Sequence, residues 1–274
     1  MKHEMVDLHI HSNHSMDTLH TVSDVLRACE REGMSTISIT DHDSVGAYAE
    51  LQDQSIRKLF SGNIITGVEI SCQMDGMICE ILGYNFDPTK IEIVTANFLS
   101  ETQWRQRIVA KFKQAGLSAD YTNEDLEAFN LTADLLEDLR ELNREALEKM
   151  NPNFATSIRA IFRSGICNSK SPLFVPLEEG IDIACAVKQI HDAGGIAFLA
   201  HPFVYENAHD MLDYAINHVD GIEVFHPSAT TQQREYLLDI CKKHGKLISG
   251  GSDWHGYNDR PLNSQKIMKG ETFL

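Results

Sequence analysis

The sequence predicts an α/β fold in which a parallel sheet or barrel carries a site at the carboxyl ends of its strands. Two observations lead to this prediction. Short apolar runs alternate with helical segments along most of the chain, and several of these runs end in histidine, aspartate or glutamate. The first run delivers His9 and His11. Because parallel strands end at a common edge, side chains from separate runs are expected to meet there.

Length and composition indicate an ordinary globular protein. The chain has 274 residues, of which 42% are hydrophobic and 23% charged, enough for one large domain or one domain with an insertion. No apolar run approaches the roughly 18 residues of a membrane span. The first residues also lack the apolar core of a signal peptide. We therefore expect a cytoplasmic protein that does not enter a membrane.

The net charge of −16, from 24 basic and 40 acidic residues, opposes binding of duplex nucleic acid through a basic surface. It does not exclude a nucleotide substrate, because bound cations reverse the local field of a site. The six cysteines are dispersed and form no Cys-x-x-Cys pair. We expect them to be reduced thiols that mostly pack as small hydrophobic side chains.

The first third of the chain repeats a strand, a polar loop and a helix. Ser23 or Asp24 is predicted to cap the first helix and Gly33 to end it. Asp75-Gly76 is typical of a hairpin turn. The predicted elements are strand 6–11, helix 25–31, strand 36–40, a helix ending near residue 60, strand 64–70 and strand Met77–Tyr84.

The alternation breaks between residues 91 and 176, where four segments have helical patterns. These segments are 91–115, 123–129, 132–149 and 154–162. Within the acidic run 134–148, an apolar stripe at helical spacing indicates a helix core; it consists of Leu135, Leu136, Leu139, Leu142 and Leu147. We predict a helical insertion over residues 91–176, packed over the active site of a barrel formed by residues 1–90 and 177–274.

Regular alternation returns after the insertion. The predicted elements are helix 178–193, strand Ile196–Leu199, helix 208–218, strand Gly221–Phe225, helix Thr231–His244 and strand 246–249. Gly250-Gly251 suggests a close backbone approach beside the site, although a plain turn explains it equally well. The residues from Pro261 onward form a tail or a cap.

Five segments place metal-type side chains at or just after the ends of apolar runs. Residues i and i+2 of a strand face the same side, so His9 and His11 point into one space. An ordinary pair of strand histidines is the alternative for that segment alone. The other four segments are Thr40-Asp41-His42-Asp43, Gly67-Val68-Glu69, Ala200-His201-Pro202 and Ser252-Asp253-Trp254-His255. In the loop after the first strand, Asp17 is the chosen ligand, with His14 as its competitor and a solvated carboxylate as the alternative.

The ligand types indicate more than one metal ion. A structural zinc site needs four ligands and usually includes cysteines. Here the candidates are more numerous and offer nitrogen and oxygen, which suits two or three divalent ions such as Mn, Fe or Zn. Adjacent ions activate water and clamp both oxygens of a displacement at phosphorus. The ligand types therefore predict metal-assisted hydrolysis, either of a phosphate ester or of an amide-type bond.

Taken in order, these motifs resemble those of the PHP (polymerase and histidinol phosphatase) domain family. The matching motifs are His9-x-His11, Thr40-Asp41-His42, Gly67-x-Glu69, Ala200-His201-Pro202 and Ser252-Asp253-x-His255. The resemblance spans about residues 5–258. Any one motif is weak, whereas the ordered set is specific. The insertion resembles that of stand-alone PHP phosphoesterases acting on nucleotides and nucleic-acid ends.

The resemblance implies a distorted (β/α)7 TIM-like barrel with up to three metal ions. One ion would be held by His9, His11, Glu69 and Asp253, and a second by Asp17, His42 and His255. A third would lie between Glu69, His201 and Glu80. A metal-bridging hydroxide would attack phosphorus. The residues acting in catalysis through the metals and this hydroxide would be His9, His11, Glu69, His201 and Asp253.

Two departures from the family pattern concern the third ion and the substrate. Glu80 stands where many relatives have histidine, so the third site is expected to be weaker or to hold a harder ion. A Gly-Arg-Pro-His segment of nucleotide-cleaving relatives is matched only by Met150-Asn151-Pro152-Asn153. The candidate phosphate contacts are therefore Arg107, Lys170 and His226. For each of them, the alternative is a solvated surface group without a role in binding. The expected substrate is a small phosphorylated molecule: a nucleotide, a nucleoside bisphosphate or an oligonucleotide end.

Two other functions are weighed against a phosphoesterase. A metal-dependent amidohydrolase also uses His-x-His on its first strand and an aspartate on its last, which Asp253 fits. The absence of a mid-barrel lysine and the presence of the Asp41-His42 pair argue against it. A regulatory module that binds metals without turnover is the second alternative. Nearly every ligand type expected for an active member of the family is present, which argues against a module without turnover.

Overall fold

A computed structural model describes residues 4–15, 17–93, 100–176, 180–205, 207–256 and 260–274. The chain forms two compact units. The barrel unit comprises Met1–Met74, Cys79–Thr95 and Ile181–Leu274, and the insertion unit comprises Asp75–Ile78 and Ala96–Gly180. The predicted domain boundaries, 1–90 and 177–274 for the barrel and 91–176 for the insertion, stay predictions. The predicted position of the insertion over the site stays a prediction.

Seven strands form one sheet in sequence order. They are β1 Val6–Ile10, β2 Thr36–Ile39, β3 Asn63–Met74, β4 Met77–Tyr84, β5 Ile196–Leu199, β6 Gly221–Phe225 and β7 Leu247–Gly250. The pairs β1/β2, β2/β3, β5/β6 and β6/β7 are parallel. A parallel bridge from Ile10 to Trp254 joins β1 to the segment after β7, so the sheet nearly closes on itself. The predicted TIM-like α/β barrel is confirmed.

Strand β4 runs against its neighbour β5, and this reversal determines what it offers the site. It follows β3 directly through Asp75 and Gly76, whose φ angles are 53° and 78°. Two successive positive φ angles are typical of a two-residue hairpin turn. Because β4 is reversed, its first half lies at the edge where the parallel strands end. Glu80 reaches that edge from within its strand, as His9 does from within β1 and Glu69 from within β3.

Eleven α-helices occur in the described part of the chain. They are α1 Val22–Arg31, α2 Gly46–Glu50, α3 Gln54–Arg57, α4 Glu101–Gln114, α5 Asn123–Ala128, α6 Thr132–Leu142, α7 Arg144–Met150, α8 Ile158–Ala160, α9 Ile183–Asp192, α10 Ala208–Ala215 and α11 Thr231–His244. Short 3-10 helices cover Pro152–Ala155 and Pro202–Val204, and a π-helix covers Ile161–Ile166. None of these helices is both long enough and apolar enough to cross a bilayer.

Several predicted helix ends were wrong because capping side chains act at other positions. Thr21, rather than Ser23 or Asp24, caps α1: its hydroxyl accepts from the Asp24 backbone N–H at 3.2 Å. The single helix predicted up to residue 60 is two helices, the second capped by Asp53. Helix α4 begins after Ser100; residues 94–99 of the predicted helix 91–115 lie outside the described residues.

Four later helices also differ from their predicted bounds. The predicted helix 132–149 is interrupted at Asn143, whose amide bonds to the backbone of Ser118 and Leu139. The predicted helix 154–162 contains 3-10, α and π turns instead. Helix α9 begins after Asp182, and residues 178–179 of its predicted start lie outside the described residues. Helix α10 ends at Ala215 rather than at residue 218.

The insertion unit has a hydrophobic core of its own. Leu135, Leu136, Leu139 and Leu147 of the predicted stripe are buried in it, whereas Leu142 is 56% exposed. The side chain of Arg105 is also buried there and donates to the carbonyl oxygens of Leu126 and Phe129. A buried arginine with several acceptors of this kind holds the neighbouring turns in place.

Candidate metal centre

The predicted ligands converge at one edge of the barrel unit. The structure contains three groups of candidate ligands, and within each group the ligand atoms lie within 4.8 Å of one another. They consist of His9, His11, Glu69 and Asp253; of His11, Asp17, His42 and His255; and of His42, Glu69 and Glu80. The ninth predicted ligand, His201, lies beside the third group, with its Nε2 atom 2.9 Å from Glu69 Oε1. Six segments that are remote in the sequence therefore supply one cluster.

The first group has the composition that the family resemblance implied. Its two imidazoles come from β1 and the residue after it, and all four side chains are buried. The Nε2 atom of His9 lies 3.1 Å from Glu69 Oε2 and 3.5 Å from Asp253 Oδ1. The Nε2 atom of His11 lies 3.3 Å from each of the same two oxygens. Two nitrogens and two carboxylates facing one point suit a divalent ion.

The second group adds His11 to the predicted set. Asp17 Oδ2 lies 2.8 Å from His255 Nε2 and 3.4 Å from His42 Nε2. The side chain of Asp17 is 37% exposed, whereas that of His255 is 9% exposed. His14, the alternative to Asp17 as a ligand, contacts a different residue: its Nε2 atom lies 2.7 Å from Glu50 Oε1. Asp17 is therefore the member of this group that faces solvent.

Glu69 belongs to both the first and the third group. Its Oε2 atom is 3.3 Å from His42 Nδ1 as well as close to the imidazoles of β1. Glu80 Oε2 lies 3.4 Å from His201 Nε2 and accepts a hydrogen bond from the Tyr205 hydroxyl at 3.1 Å. Both His42 and His201 thus adjoin the carboxylates of the third group. A carboxylate shared in this way can bridge two ions.

Buried aspartates that are not predicted ligands hold the loops of the site. Asp7 accepts from the backbone N–H groups of Ser252 and Asn263, each at 2.9 Å. Asp41 accepts from Ser12 N at 2.6 Å and from the Ser12 hydroxyl at 2.7 Å. Since these are short side-chain bonds to loop backbone, they give the loops defined positions without regular secondary structure.

Two proposed ligands have unusual backbone conformations. The φ angle is 26° at His201 and 53° at Asp253. Positive φ is uncommon outside glycine and costs free energy, so it persists where surrounding contacts enforce it. The backbone N–H of His201 donates to Glu223 Oε2 at 2.8 Å, which is one such contact.

The hydrogen bonds of Ser15 determine which nitrogen of His11 faces the cluster. The Ser15 hydroxyl donates to Asp41 Oδ1 at 3.0 Å, so at His11 Nδ1, 2.9 Å away, it acts as the acceptor. The proton of the imidazole is therefore on Nδ1. Burial, reinforced by the charges of His255 and His42, lowers the pKa of His11 to about 3, so the ring is neutral. Its buried Nε2 makes no hydrogen bond to the described residues and presents a lone pair, as a metal ligand must.

Glu223 was not predicted as a site residue, yet it contacts two proposed ligands. Its Oε1 atom lies 2.8 Å from His9 Nδ1, and its Oε2 atom accepts from the backbone of His201. Burial alone would raise the pKa of Glu223, but the neighbouring histidines, chiefly His9 through its charge and its hydrogen bond, together outweigh burial and lower the pKa to about 2. A glutamate inside the buried run Gly221–Phe225 was the available sequence signal, because a buried carboxylate needs a partner.

The site combines ionised carboxylates with imidazoles that retain protons. Burial would lower the pKa of His9, but the charges of Glu223 and Glu69 raise it to about 10. In the same way, Asp17 and Glu69 outweigh burial at His42 and raise its pKa to about 10. The pKa of Glu69 lies well below its usual value, since burial is outweighed by His9 and His42. Divalent ions fit this arrangement because they would replace those imidazole protons as partners of the carboxylates.

The three candidate phosphate contacts lie in different surroundings. Arg107 Nη1 donates to the carbonyl of Pro176 at 3.4 Å, and Lys170 is exposed; both belong to the insertion unit. His226 is buried in the barrel unit, with Nε2 3.3 Å from Asp253 Oδ2. Burial is the main reason that its pKa lies well below the usual value. Contact of these residues with substrate stays a prediction.

Arg260 was also missed. It is buried, and its Nη1 donates to Asp253 Oδ2 in a close ion pair. No local pattern in the sequence distinguishes this arginine, which lies immediately before the segment from Pro261 onward that was expected to be a tail or a cap.

Comparison with known proteins places this geometry in a family. Residues 7–165, more than half of the chain, match the PHP domain. A 5′–3′ exoribonuclease of Escherichia coli is 28% identical over 261 residues, covering 91% of this chain and 84% of the relative. A 3′,5′-nucleoside bisphosphate phosphatase of Chromobacterium violaceum is 25% identical over 259 residues, covering 91% and 87%.

A solved structure shares the fold. It is a protein of Bifidobacterium adolescentis, assigned provisionally to the metal-dependent phosphoesterases, with a TM-score of 0.70 and 23% identity. The match covers 97% of this chain and 93% of that protein. The resemblance found in the motifs is confirmed, and the chain belongs to the PHP domain family.

Proposed function

We propose that the protein is a divalent-metal-dependent phosphoesterase that removes phosphate or a nucleotide from a nucleotide, a nucleoside bisphosphate or an oligonucleotide end. The observation that carries the proposal is the position of Glu69, whose carboxylate adjoins His9, His11, His42 and His201 within a buried cluster. A carboxylate shared among nitrogen ligands suits a hydrolytic site with two or more adjacent ions.

The donor atoms suit two or three ions of Mn, Fe or Zn. The nine proposed ligands are His9, His11, Asp17, His42, Glu69, Glu80, His201, Asp253 and His255. Ions bound there would provide a nucleophile at neutral pH by lowering the pKa of water and would neutralise charge on the phosphate oxygens. Nitrogen and oxygen donors without cysteine favour these ions over a structural zinc site.

The residues of the chain supply orientation and exclusion of water. Glu223 and Ser15 each bind the Nδ1 side of a ligand imidazole, so that Nε2 of His9 and of His11 faces the carboxylates. Burial of His9, Glu69 and Asp253 keeps solvent from the reacting groups and strengthens their electrostatic interactions. Asp17, the partly exposed ligand, marks the side from which a substrate could approach.

The proposed substrate class rests on the relatives and on charge. The two curated relatives described above act, by their names, on ribonucleic acid and on a nucleoside bisphosphate. A net charge of −16 opposes binding along an extended polyanion. A small phosphorylated molecule or the end of a single strand therefore suits this protein better than a duplex.

The test combines elemental analysis with a hydrolysis screen on the same purified, Mn-loaded protein. Substrates would include mononucleotides, adenosine 3′,5′-bisphosphate, cyclic phosphates, sugar phosphates and short oligoribonucleotides. We expect two or three ions per chain and release of phosphate or nucleotide. His9→Ala and Asp253→Asn should abolish turnover while retaining the circular dichroism spectrum. Glu235→Gln, on the exposed side of α11, is the matched control and should retain full activity.

Each contrary result has a definite meaning. Bound ions without turnover on any phosphate ester would overturn the proposal in favour of the amidohydrolase or the regulatory alternative. Near-full activity in His9→Ala or Asp253→Asn would overturn the assignment of the ligands. No bound ion after Mn loading would overturn the metal centre altogether.

A further inference from the structure

Arg260 places a permanent positive charge directly beside the metal centre. Its side chain is 7% exposed, and its Nη1 donates to Asp253 Oδ2. Among the described residues, the other buried arginine is Arg105 of the insertion unit, and no lysine is buried. Within the described part of the barrel unit, Arg260 is therefore the one buried arginine.

The two oxygens of Asp253 face different groups. Oδ1 lies 3.3 to 3.5 Å from nitrogens of His9, His11 and His255. Oδ2 faces Arg260 and, at 3.3 Å, His226 Nε2. One carboxylate thus has proposed metal ligands on one side and a guanidinium on the other. The Asp253 carboxylate therefore separates that guanidinium from the imidazoles that would hold ions.

Charge considerations favour a role beyond pairing with Asp253. Burying a guanidinium is costly unless its charge is compensated. Ions held on the imidazole side of Asp253 would share its carboxylate and would repel the guanidinium. A phosphate group bound at the ions would add negative charge beside the guanidinium. Arginine suits this ligand because its planar guanidinium keeps its charge and offers several N–H donors in fixed directions.

The other candidates in the barrel unit do not offer such a charge. His226 occupies the neighbouring position on Asp253, but an imidazole, unlike a guanidinium, carries no permanent charge. Arg107 and Lys170 belong to the insertion unit. Among the described residues of the barrel unit, Arg260 is the buried side chain that brings a permanent positive charge to the centre.

We propose that Arg260 binds the phosphate group of the substrate while it pairs with Asp253. The proposal rests on the proposed phosphoesterase function and adds to it a specific anion contact. It assigns one phosphoryl oxygen to the side of Asp253 that faces Arg260, while the other oxygens would lie toward the site where ions would be held.

The test measures binding of inorganic phosphate to Mn-loaded protein by calorimetry, which requires no turnover. Arg260→Gln removes the charge, and Arg260→Lys keeps the charge but loses the planar arrangement of donors. Arg27→Gln is the matched control, because Arg27 is 57% exposed on α1. Manganese per chain is measured for every variant, together with KM and kcat on adenosine 3′,5′-bisphosphate.

We expect Arg260→Gln to raise the Kd for phosphate roughly tenfold to hundredfold, the usual effect of losing a hydrogen bond to a charged group. Arg260→Lys should fall between Arg260→Gln and the wild type, and Arg27→Gln should match the wild type. The Mn content should be unchanged in all of them. Under these conditions KM for the bisphosphate should rise with the Kd.

An unchanged Kd in Arg260→Gln would overturn the proposal. So would a loss of Mn in parallel with phosphate binding, since Arg260 would then act through Asp253 on the ions. If Arg260→Gln does not fold, Arg260→Lys decides: a Kd raised at least threefold with full Mn content supports the proposal, and an unchanged Kd overturns it. Absence of phosphate binding in the wild type also overturns it, whereas the hydrolysis screen decides the proposed function separately.

Discussion

His9 Nδ1 lies 2.8 Å from Glu223 Oε1, and this contact connects the first strand of the barrel to the sixth. The imidazole can donate its Nδ1 proton to the carboxylate and direct Nε2 toward Glu69 and Asp253. An imidazole held in this way is a better-oriented and more basic ligand. Glu223 therefore acts on the metal centre through His9.

Removing the charge of Glu223 should weaken metal binding. We expect Glu223→Gln to raise the Kd for Mn about 10- to 100-fold, the usual effect of losing such a partner. A fluorescence-based competition with a chelator would measure it. Glu235→Gln, an exposed change of the same type, is the control. A Kd within twofold of the wild type would show that His9 needs no support from Glu223.

Glu80 should affect one ion and leave the others in place. Its carboxylate belongs only to the third ligand group, whereas the first two groups contain no atom of Glu80. We expect Glu80→Gln to lower the Mn content by about one ion per chain in elemental analysis. Tyr205→Phe, which removes a hydrogen bond to Glu80 but no ligand, should keep the full content. An unchanged content in Glu80→Gln would exclude Glu80 as a ligand.

Gly251 should not tolerate a side chain. A Cβ atom there would lie 2.4 Å from His9 N and 2.8 Å from His9 Cα, and backbone atoms cannot move aside cheaply. We expect Gly251→Ala to lower the free energy of unfolding in urea by about 1–3 kcal/mol, and to weaken Mn binding. Gly165→Ala is the control, since its Cβ would meet nothing closer than 3.5 Å. Equal stability of the two variants would contradict the close approach.

The chelated protein should lose stability as the pH rises. The pKa values of His9 and His42 are raised from 6.5 to about 10 in the folded chain. A raised pKa means that the folded state holds the proton more tightly, so this stabilisation is complete below pH 6.5 and is lost toward pH 10. We expect the Tm in EDTA to fall between pH 6.5 and 9.5.

Three further samples separate this effect from general alkaline unfolding. His9→Ala should show a shallower fall, whereas His244→Gln, an exposed change, should follow the wild type. Protein loaded with Zn should also show a shallower fall, because a metal-bound imidazole has already given up its proton. A Tm in EDTA that is flat or rises over this range would contradict the assigned protonation.

Much of the fold followed from the sequence because its strands are short, apolar and followed by polar residues. Helix Thr231–His244 and strands Met77–Tyr84, Ile196–Leu199 and Gly221–Phe225 agree with their predicted bounds. The family and the class of phosphoester hydrolases are supported by the comparisons. Helix ends were less predictable, since caps such as Thr21 compete with neighbouring serines and aspartates of similar propensity.

The ligand cluster could be anticipated where a ligand ends its own strand, as for His11 or His201. Glu223 could not, because its role depends on a partner 214 residues away in the sequence. Arg260 could not either, because no periodicity or spacing links it to Asp253. The assignment of ligands, the contacts of Arg107 and Lys170 and the cytoplasmic location stay predictions.

The bonds of Asp7 have a consequence for how the protein is made. Its carboxylate binds Ser252, 245 residues away, and Asn263, 256 residues away. At roughly 5–20 residues per second, a ribosome needs some tens of seconds to produce the partner of a residue made at the start. During that time the first strand has no last strand to pair with. We expect a nascent chain to complete its metal centre only after Ser252 and Asn263 have emerged from the ribosome.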